Sequence, residues 1–119
     1  MIAHVVLFTP RAGLPEEERA ALVAALERAC RDIPGIQRAT VGRRRVLGYA
    51  YDTLSPVSFD YAAVLEFASQ SALAEYLQHP AHVELGTLFH QVSQVAIAHD
   101  FEMADATAAG EVRRIAALD

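Results

Sequence analysis

Three side chains that can exchange protons or bind a carbonyl oxygen lie close together in the second half of the chain. Tyr76, His79 and His82 follow one another at intervals of three residues, which brings them to one side of a helix if the helix continues through them. Histidine supplies a base near neutral pH, and a tyrosine hydroxyl can donate a hydrogen bond to a developing oxyanion. The spacing is typical of proton abstraction next to a carbonyl group, with His82 as the base and Tyr76 as its partner.

One more histidine interrupts an apolar segment at the start of the chain. Ile2 to Phe8 predicts a strand in which His4 shares one face with Val6 and Phe8. Both faces of this strand are apolar apart from His4, so both are expected to be buried. We expect His4 to lie on the sheet face opposite the helices, where it would bind the carbonyl end of a ligand.

Each of these residues also has a structural interpretation. Pro80 disfavours helical geometry at the residue before it, so the segment is expected to contain a kink between two short helices. His79 would then cap a helix, and Tyr76 would pack with its hydroxyl at the rim of the core. His82 would bond to a backbone carbonyl. The spacing alone leaves both interpretations open.

Composition excludes several other classes of protein. The chain has 10 Lys and Arg against 15 Asp and Glu, for a formal net charge of −5, and it has no basic stripe for nucleic acid. Its single cysteine, Cys30, allows no intrachain disulfide and no cysteine cluster for zinc. No apolar run is long enough to span a membrane, and no dinucleotide, phosphate-loop or serine-hydrolase motif is present. We expect a soluble cytoplasmic protein with no metal, cofactor, nucleic acid or membrane partner.

Hydrophobic periodicity predicts four strands and three helices in residues 1–103. The pattern fades from Ala104 onward, so we expect one domain over residues 1–103 and an appended tail over residues 104–119. The predicted strands are Ile2–Phe8, Ile36–Leu47, Tyr61–Phe67 and Val95–Met103, and the predicted helices are Pro15–Asp32, one that begins after Ser69, and one from Pro80 to Val92.

This order of elements predicts an α+β fold of the ferredoxin-like βαββαβ type, with a four-stranded antiparallel sheet and helices on one face. The other face of such a sheet has no cover within one chain, yet the first and third strands are apolar on both sides. A second copy that packs its sheet against the first would bury this surface. The sequence therefore predicts a homodimer that forms an α/β barrel, although many of its 53% hydrophobic residues are alanines that also favour helices.

Four segments together resemble the stress-responsive dimeric α/β-barrel (Dabb) family over residues 2–103. They are His4-Val5-Val6-Leu7-Phe8, Ile33-Pro34-Gly35-Ile36, Tyr76 with His79-Pro80-Ala81-His82-Val83, and Ala96-Ile97-Ala98-His99-Asp100-Phe101. The resemblance implies a ferredoxin-like protomer and a homodimeric barrel.

Within this family, the chain is similar to plant polyketide cyclases at the helix kink. The resemblance implies that Tyr76 and His82 are catalytic and that His4 binds substrate. The cyclases have a histidine in the third strand where this chain has Tyr61. We expect Tyr61, and also His79, to contact substrate. The resemblance implies a pocket for a small apolar carbonyl or phenolic ligand, with lyase-like or cyclase-like chemistry. The alternatives are a non-catalytic dimeric stress or assembly protein and a cofactor-free monooxygenase of a related barrel type.

Overall fold

The computed structural model describes residues 1–118 of the chain. In order along this part of the chain, the elements are β1 (Ile2–Pro10), α1 (Glu16–Asp32), β2 (Ile36–Arg43), α2 (Tyr51–Leu54), β3 (Tyr61–Phe67), α3 (Gln70–Gln78), α4 (Pro80–Val92), β4 (Ser93–Glu102) and α5 (Glu111–Ile115).

The four strands form one antiparallel sheet in the order β2-β3-β1-β4. The two strands that were predicted to be apolar on both faces, β1 and β3, occupy its centre. Helices α1, α3 and α4 pack together on one side of the sheet. This is the ferredoxin-like arrangement that the order of elements predicts.

Local sequence signals explain where the main helices begin and end. Helix α1 follows Pro15, and three glutamates in its first turn complement the positive end of the helix dipole. The turn after α1 uses Gly35 at φ 93°, a conformation that favours glycine. Helix α3 begins at Ser69, whose hydroxyl oxygen accepts a hydrogen bond from the backbone N–H of Ala72 at 3.2 Å.

The hydrophobic core lies between the sheet and the helices. Leu65 and Phe67 of β3 are almost completely buried, and they belong to one core cluster with Ala29 of α1 and Leu73 of α3. The opposite sheet face has no covering element within residues 1–118. On that face, Phe101 of β4 is 49% exposed and Ile97 is 40% exposed.

Four strand boundaries differ from those predicted: β1 ends at Pro10 rather than Phe8, β4 ends at Glu102 rather than Met103, and two further boundaries differ as follows. Strand β2 ends at Arg43 rather than Leu47, and β4 begins at Ser93 rather than Val95. The backbone N–H of Arg44 donates to the carbonyl of Asp60 at 2.7 Å, just before β3 begins. Beyond this bond the segments that follow β2 and precede β3 are no longer paired. The loop from there to β3 contains the short helix α2.

The predicted tail contains the short helix α5, and its last residue, Asp119, lies outside the described residues. Arg114 of α5 donates to Glu111 at 2.7 Å and to Glu102 at the end of β4 at 2.9 Å. The exposed ion pair with Glu102 connects the tail to the edge strand, whereas the pair with Glu111 lies within α5. No helix among residues 1–118 is both long enough and apolar enough to cross a membrane.

Candidate functional site

A kink between α3 and α4 brings the candidate acid and base together. His79 has extended backbone angles, φ −66° and ψ 139°, and it ends α3 and begins α4, with Pro80 in the first turn. This geometry places Tyr76, in the last turn of α3, beside His82, in the first turn of α4. Their ring centroids are 4.6 Å apart and their planes are inclined by 57°.

His4 joins this pair from the sheet. It lies opposite Leu65 of β3 in the strand register, on the face that the helices cover, and it is only 8% exposed. Its ring centroid is 6.0 Å from that of Tyr76, in an edge-on arrangement. The expectation that His4 lies on the face opposite the helices is wrong. Both faces of β1 are apolar, so alternation along the strand groups His4 with its neighbours without showing which face the helices cover.

Asp100 is a fourth polar residue at the site, and it was not among the residues predicted to be functional. The β1–β4 register places it beside His4, and its carboxylate oxygen Oδ1 lies 2.5 Å from Nδ1 of that ring. The carboxylate accepts a hydrogen bond from Nδ1–H, which leaves Nε2 of His4 for a ligand. The only sign of this contact in the sequence is that β4 contains a polar residue at this position. The closeness of Asp100 to His4 depends on the strand register, which cannot be read from the sequence.

The ring of His82 is held in one orientation by the backbone. Its Nδ1 is 3.1 Å from the carbonyl oxygen of Leu77, so Nδ1–H donates and Nε2 carries the lone pair. Burial lowers the pKa of His82 below its ordinary value of 6.5, and the nearby His4 lowers it further, although the bond to Leu77 acts in the opposite direction. His82 is therefore a neutral imidazole at pH 7, the form that accepts a proton.

Tyr76 is a buried proton donor. The residue is 2% exposed, and its ring packs at 5.2 Å against that of Phe67. Burial raises the pKa of Tyr76 to about 12, with a smaller contribution from Cys30. Its hydroxyl group keeps its proton at neutral pH and can donate to a ligand oxygen.

One cavity of about 420 Å³ is lined by His4, Tyr76 and His82. The rest of its wall is largely apolar and comes from the sheet, α1 and α4. Those apolar residues include Val6, Phe8, Ala63, Leu65, Ala96 and Ala98 from the strands and Leu22, Leu26, Leu85 and Phe89 from the helices. The space is open rather than filled by Phe8 or Leu65, which line it. Apolar walls of this kind exclude water and strengthen polar contacts inside the cavity.

The structure does not bring the two remaining predicted site residues to this cavity. Nδ1 of His79 accepts a hydrogen bond from the backbone N–H of Ala81 at 3.1 Å, so its ring caps α4. Tyr61, at the start of β3, stacks on Phe8 with ring centroids 5.6 Å apart, and it lines a neighbouring cavity. Within residues 1–118, no three His, Cys, Asp or Glu side chains are grouped so that they could hold a metal ion.

A family model for the stress responsive A/B barrel domain (Dabb) matches residues 2–103. This match covers most of the chain, so the chain belongs to the Dabb family. The segments that carried the resemblance in the sequence lie within it. A search of curated proteins finds no match.

Solved structures with this fold include proteins of different activities. A hydroxynitrile lyase from Passiflora edulis is 15% identical, with a TM-score of 0.74 over 90% of this chain and 96% of that one. A mutant of SnoaB, a cofactor-independent oxygenase from Streptomyces nogalater, is 20% identical, with a TM-score of 0.65 over 89% and 95%. A dimeric ferredoxin-like protein of unknown function from Thermobifida fusca is 20% identical, with a TM-score of 0.66 over 86% and 90%. Likeness at these identities shows the shared fold.

Proposed function

We propose that this Dabb family member binds a small apolar carbonyl or phenolic compound in the cavity at His4, Tyr76 and His82, and that it carries out acid–base chemistry there. One observation carries the proposal. A neutral histidine with its Nε2 unprotonated, a protonated tyrosine and a second histidine line one apolar cavity. Few structural roles need three such groups around an open space.

The proposed chemistry begins with proton abstraction next to the carbonyl. Nε2 of His82 takes the proton from the α-carbon, the electrons of the broken C–H bond form the enolate double bond, and the carbonyl oxygen becomes an oxyanion. The hydroxyl of Tyr76 donates to that oxygen, and His4, whose Nδ1 bonds to Asp100, lines the same cavity. The enolate then attacks an electrophile or takes the proton back.

The enzymes that share this fold support a role in small-molecule chemistry, but they do not point to a single reaction. One is a hydroxynitrile lyase and another is a cofactor-independent oxygenase, so this fold supports different outcomes. A cofactor-free oxygenase remains the second candidate for this chain, because a carbanion formed by the same base can also react with oxygen. A non-catalytic stress or assembly protein is the third.

We also propose that the active form is a homodimer, with residues 1–103 as its domain and residues 104–119 as an appended tail. The support is the uncovered apolar sheet face and the dimeric state of solved relatives with this fold. Two sheets that pack through these faces form the barrel. The site itself lies on the other side of the sheet, between strands and helices.

Ligand binding by the wild type and two variants tests the proposal. Polyketide-like and phenolic ketones are screened by calorimetry, and melting temperatures are recorded for each protein. We expect Tyr76→Phe to weaken the binding of ketones because the variant lacks the hydroxyl donor. If a reaction is found among these compounds, His82→Ala should slow turnover by about 10² to 10⁴-fold.

His99→Ala is the matched control, because His99 lies on the opposite sheet face and is exposed in the single chain. That face is the proposed dimer interface, so light scattering first checks that the variant has the same mass as the wild type. It should bind ketones as the wild type does. Full activity in a folded His82→Ala protein would remove the base assignment. Failure of every carbonyl and phenolic compound to bind would favour the non-catalytic alternative.

A further inference from the structure

The first cavity, which the acid–base cluster of His4, Tyr76 and His82 lines, has another polar side chain in its wall. This is His90, in the last turn of α4, and the proposed proton transfer does not use it. Within residues 1–118, the other side chains that line the cavity are apolar, and none of them is a carboxylate. His90 is exposed, so it stands where the cavity opens to solvent.

The polar groups lie at opposite ends of the cavity. His82 is in the first turn of α4 and His90 is in the last, eight residues later, a span of about 12 Å along the helix axis. Strand β1 runs in the same direction, because His4 lies at the acid–base cluster and the ring of Phe8 meets that of Phe89 at 5.1 Å. The four residues from His4 to Phe8 correspond to about 13 Å. The cavity is therefore elongated along α4 and polar at both ends.

Gly86 leaves the space between the two histidines open. His82, Gly86 and His90 follow one another at intervals of four residues, so they form one row on the side of α4 that lines the cavity. A β-carbon at Gly86 would meet no side chain within 4 Å. A ligand can therefore extend along this row from one histidine to the other.

We infer that the first cavity takes an oxo acid, with its carbonyl at the acid–base cluster, its carboxylate at His90 and an apolar linker between them. This inference rests on the proposed function and specifies its substrate class. A ring N–H of His90 donates a charge-assisted hydrogen bond to the carboxylate. The carboxylate keeps part of its hydration there because His90 is exposed, whereas burial at the inner end would remove that hydration. The carboxylate of Asp100, which bonds to His4, would also repel a second carboxylate at the inner end.

Calorimetry with two matched series of methyl ketones tests this inference. The chain ends in a carboxylate in one series and in a methyl ester in the other, with linkers that lengthen by one methylene at a time. In the wild type we expect acids to bind about tenfold more tightly than esters once the linker spans the distance between His82 and His90. At shorter lengths the acids should have no advantage.

Two substitutions at His90 measure its part in this preference. His90→Ala removes the donor, so acids should lose their advantage at every length while short ketones bind as they do to the wild type. His90→Gln keeps an N–H donor and should retain most of the preference. Gln91→Ala is the matched control, because Gln91 is also exposed on α4 but does not line the cavity. It should follow the wild type.

Gly86→Leu tests the path between the two ends. Leucine favours a helix more than glycine does, and the space at this position is open, so the variant should fold. The leucine side chain obstructs the row between His82 and His90. Short ketones should therefore still bind, and the preference for long acids should disappear.

The outcomes separate failure of this inference from failure of the proposed function. The inference fails and the proposed function stands if ketones bind but long acids bind the wild type no more tightly than their esters. The same conclusion follows if His90→Ala or Gly86→Leu keeps the preference for long acids. If no ketone of either series binds, the proposed function fails together with the inference.

Discussion

At the scale of single residues, the chemistry of the site depends on which ring nitrogen of each histidine is held. Nδ1 of His4 bonds to a carboxylate and Nδ1 of His82 bonds to a backbone carbonyl, so each ring offers Nε2. The types and spacing of Tyr76 and His82 predicted that their side chains lie together, and their ring centroids are 4.6 Å apart. The contact of Asp100 with His4 was not predictable, because it depends on how β1 and β4 align. His79 shares the spacing of the pair but caps a helix instead.

The carboxylate of Asp100 has a measurable role if His4 binds the carbonyl oxygen. We expect Asp100→Asn to reduce ketone affinity or turnover by about tenfold, because a neutral amide oxygen is a weaker acceptor for Nδ1–H of His4 than a carboxylate and holds the ring less firmly. The melting temperature should change little, since the Asp100 side chain is 47% exposed. Glu102→Gln is the control on the same strand and should leave binding unchanged. Equal affinities for Asp100→Asn and the wild type would show that His4 acts without this carboxylate.

His82 should titrate below pH 6.5. Its pKa in the fold is lowered chiefly by burial, so as pH falls the unfolded chain takes up this proton before the folded protein does. The contribution of His82 to the free energy of unfolding is therefore complete above pH 6.5 and is lost as pH falls through the lowered pKa. An NMR titration of the ring protons, assigned with His82→Ala, measures the midpoint. A midpoint at or above 6.5 would contradict the neutral-base assignment.

At the scale of elements, the break between α3 and α4 positions the site. Pro80 predicted the kink in the sequence, and the structure shows how it brings the end of one helix beside the start of the next. Strand boundaries were less predictable: Arg44 and Arg45 follow β2 without a break in composition, and only the bond from Arg44 to Asp60 shows where pairing ends. The face on which His4 lies was not predictable either, since it depends on where the helices pack.

The cap at His79 can be separated from a role in binding. His79→Ala should lower the free energy of unfolding by about 1 kcal/mol, because the first turn of α4 loses its acceptor for the N–H of Ala81. His79→Asn keeps a capping acceptor and should recover most of that loss. Urea unfolding measures both. A large fall in ketone affinity for His79→Asn, with normal stability, would instead support the predicted contact with substrate.

At the scale of the whole molecule, one face of the sheet lines the candidate site, and no element within residues 1–118 covers the other face. The sequence pattern of β1 and β3 predicted this uncovered apolar surface. A strand that is buried on one face alone would alternate apolar and polar residues, and these two strands are apolar on both faces. The fold and its Dabb family were thus predictable from sequence. The position and size of the cavities were not, since they depend on how the α1 and α4 side chains meet the sheet.

The uncovered face should close a dimer of about 26 kDa, twice the chain mass of 12.9 kDa. Phe101→Asp places a charge on that face, so it should weaken association more than tenfold by leaving an unpaired charge in the interface. The variant should still fold, since Phe101 is 49% exposed in the single chain. Light scattering at low micromolar concentration measures the mass. A wild-type monomer would contradict closure of the barrel.

The central claim is that His82 removes a proton next to the carbonyl of a ligand held in the first cavity. Exchange of the α-protons of a methyl ketone for deuterium in D₂O, followed by NMR, measures this step without knowledge of the natural substrate. The account predicts exchange catalysed by the wild type and by His99→Ala, and slower by about 10² to 10⁴-fold in His82→Ala. Binding of the ketone without catalysed exchange, or equal exchange in folded His82→Ala, would contradict it.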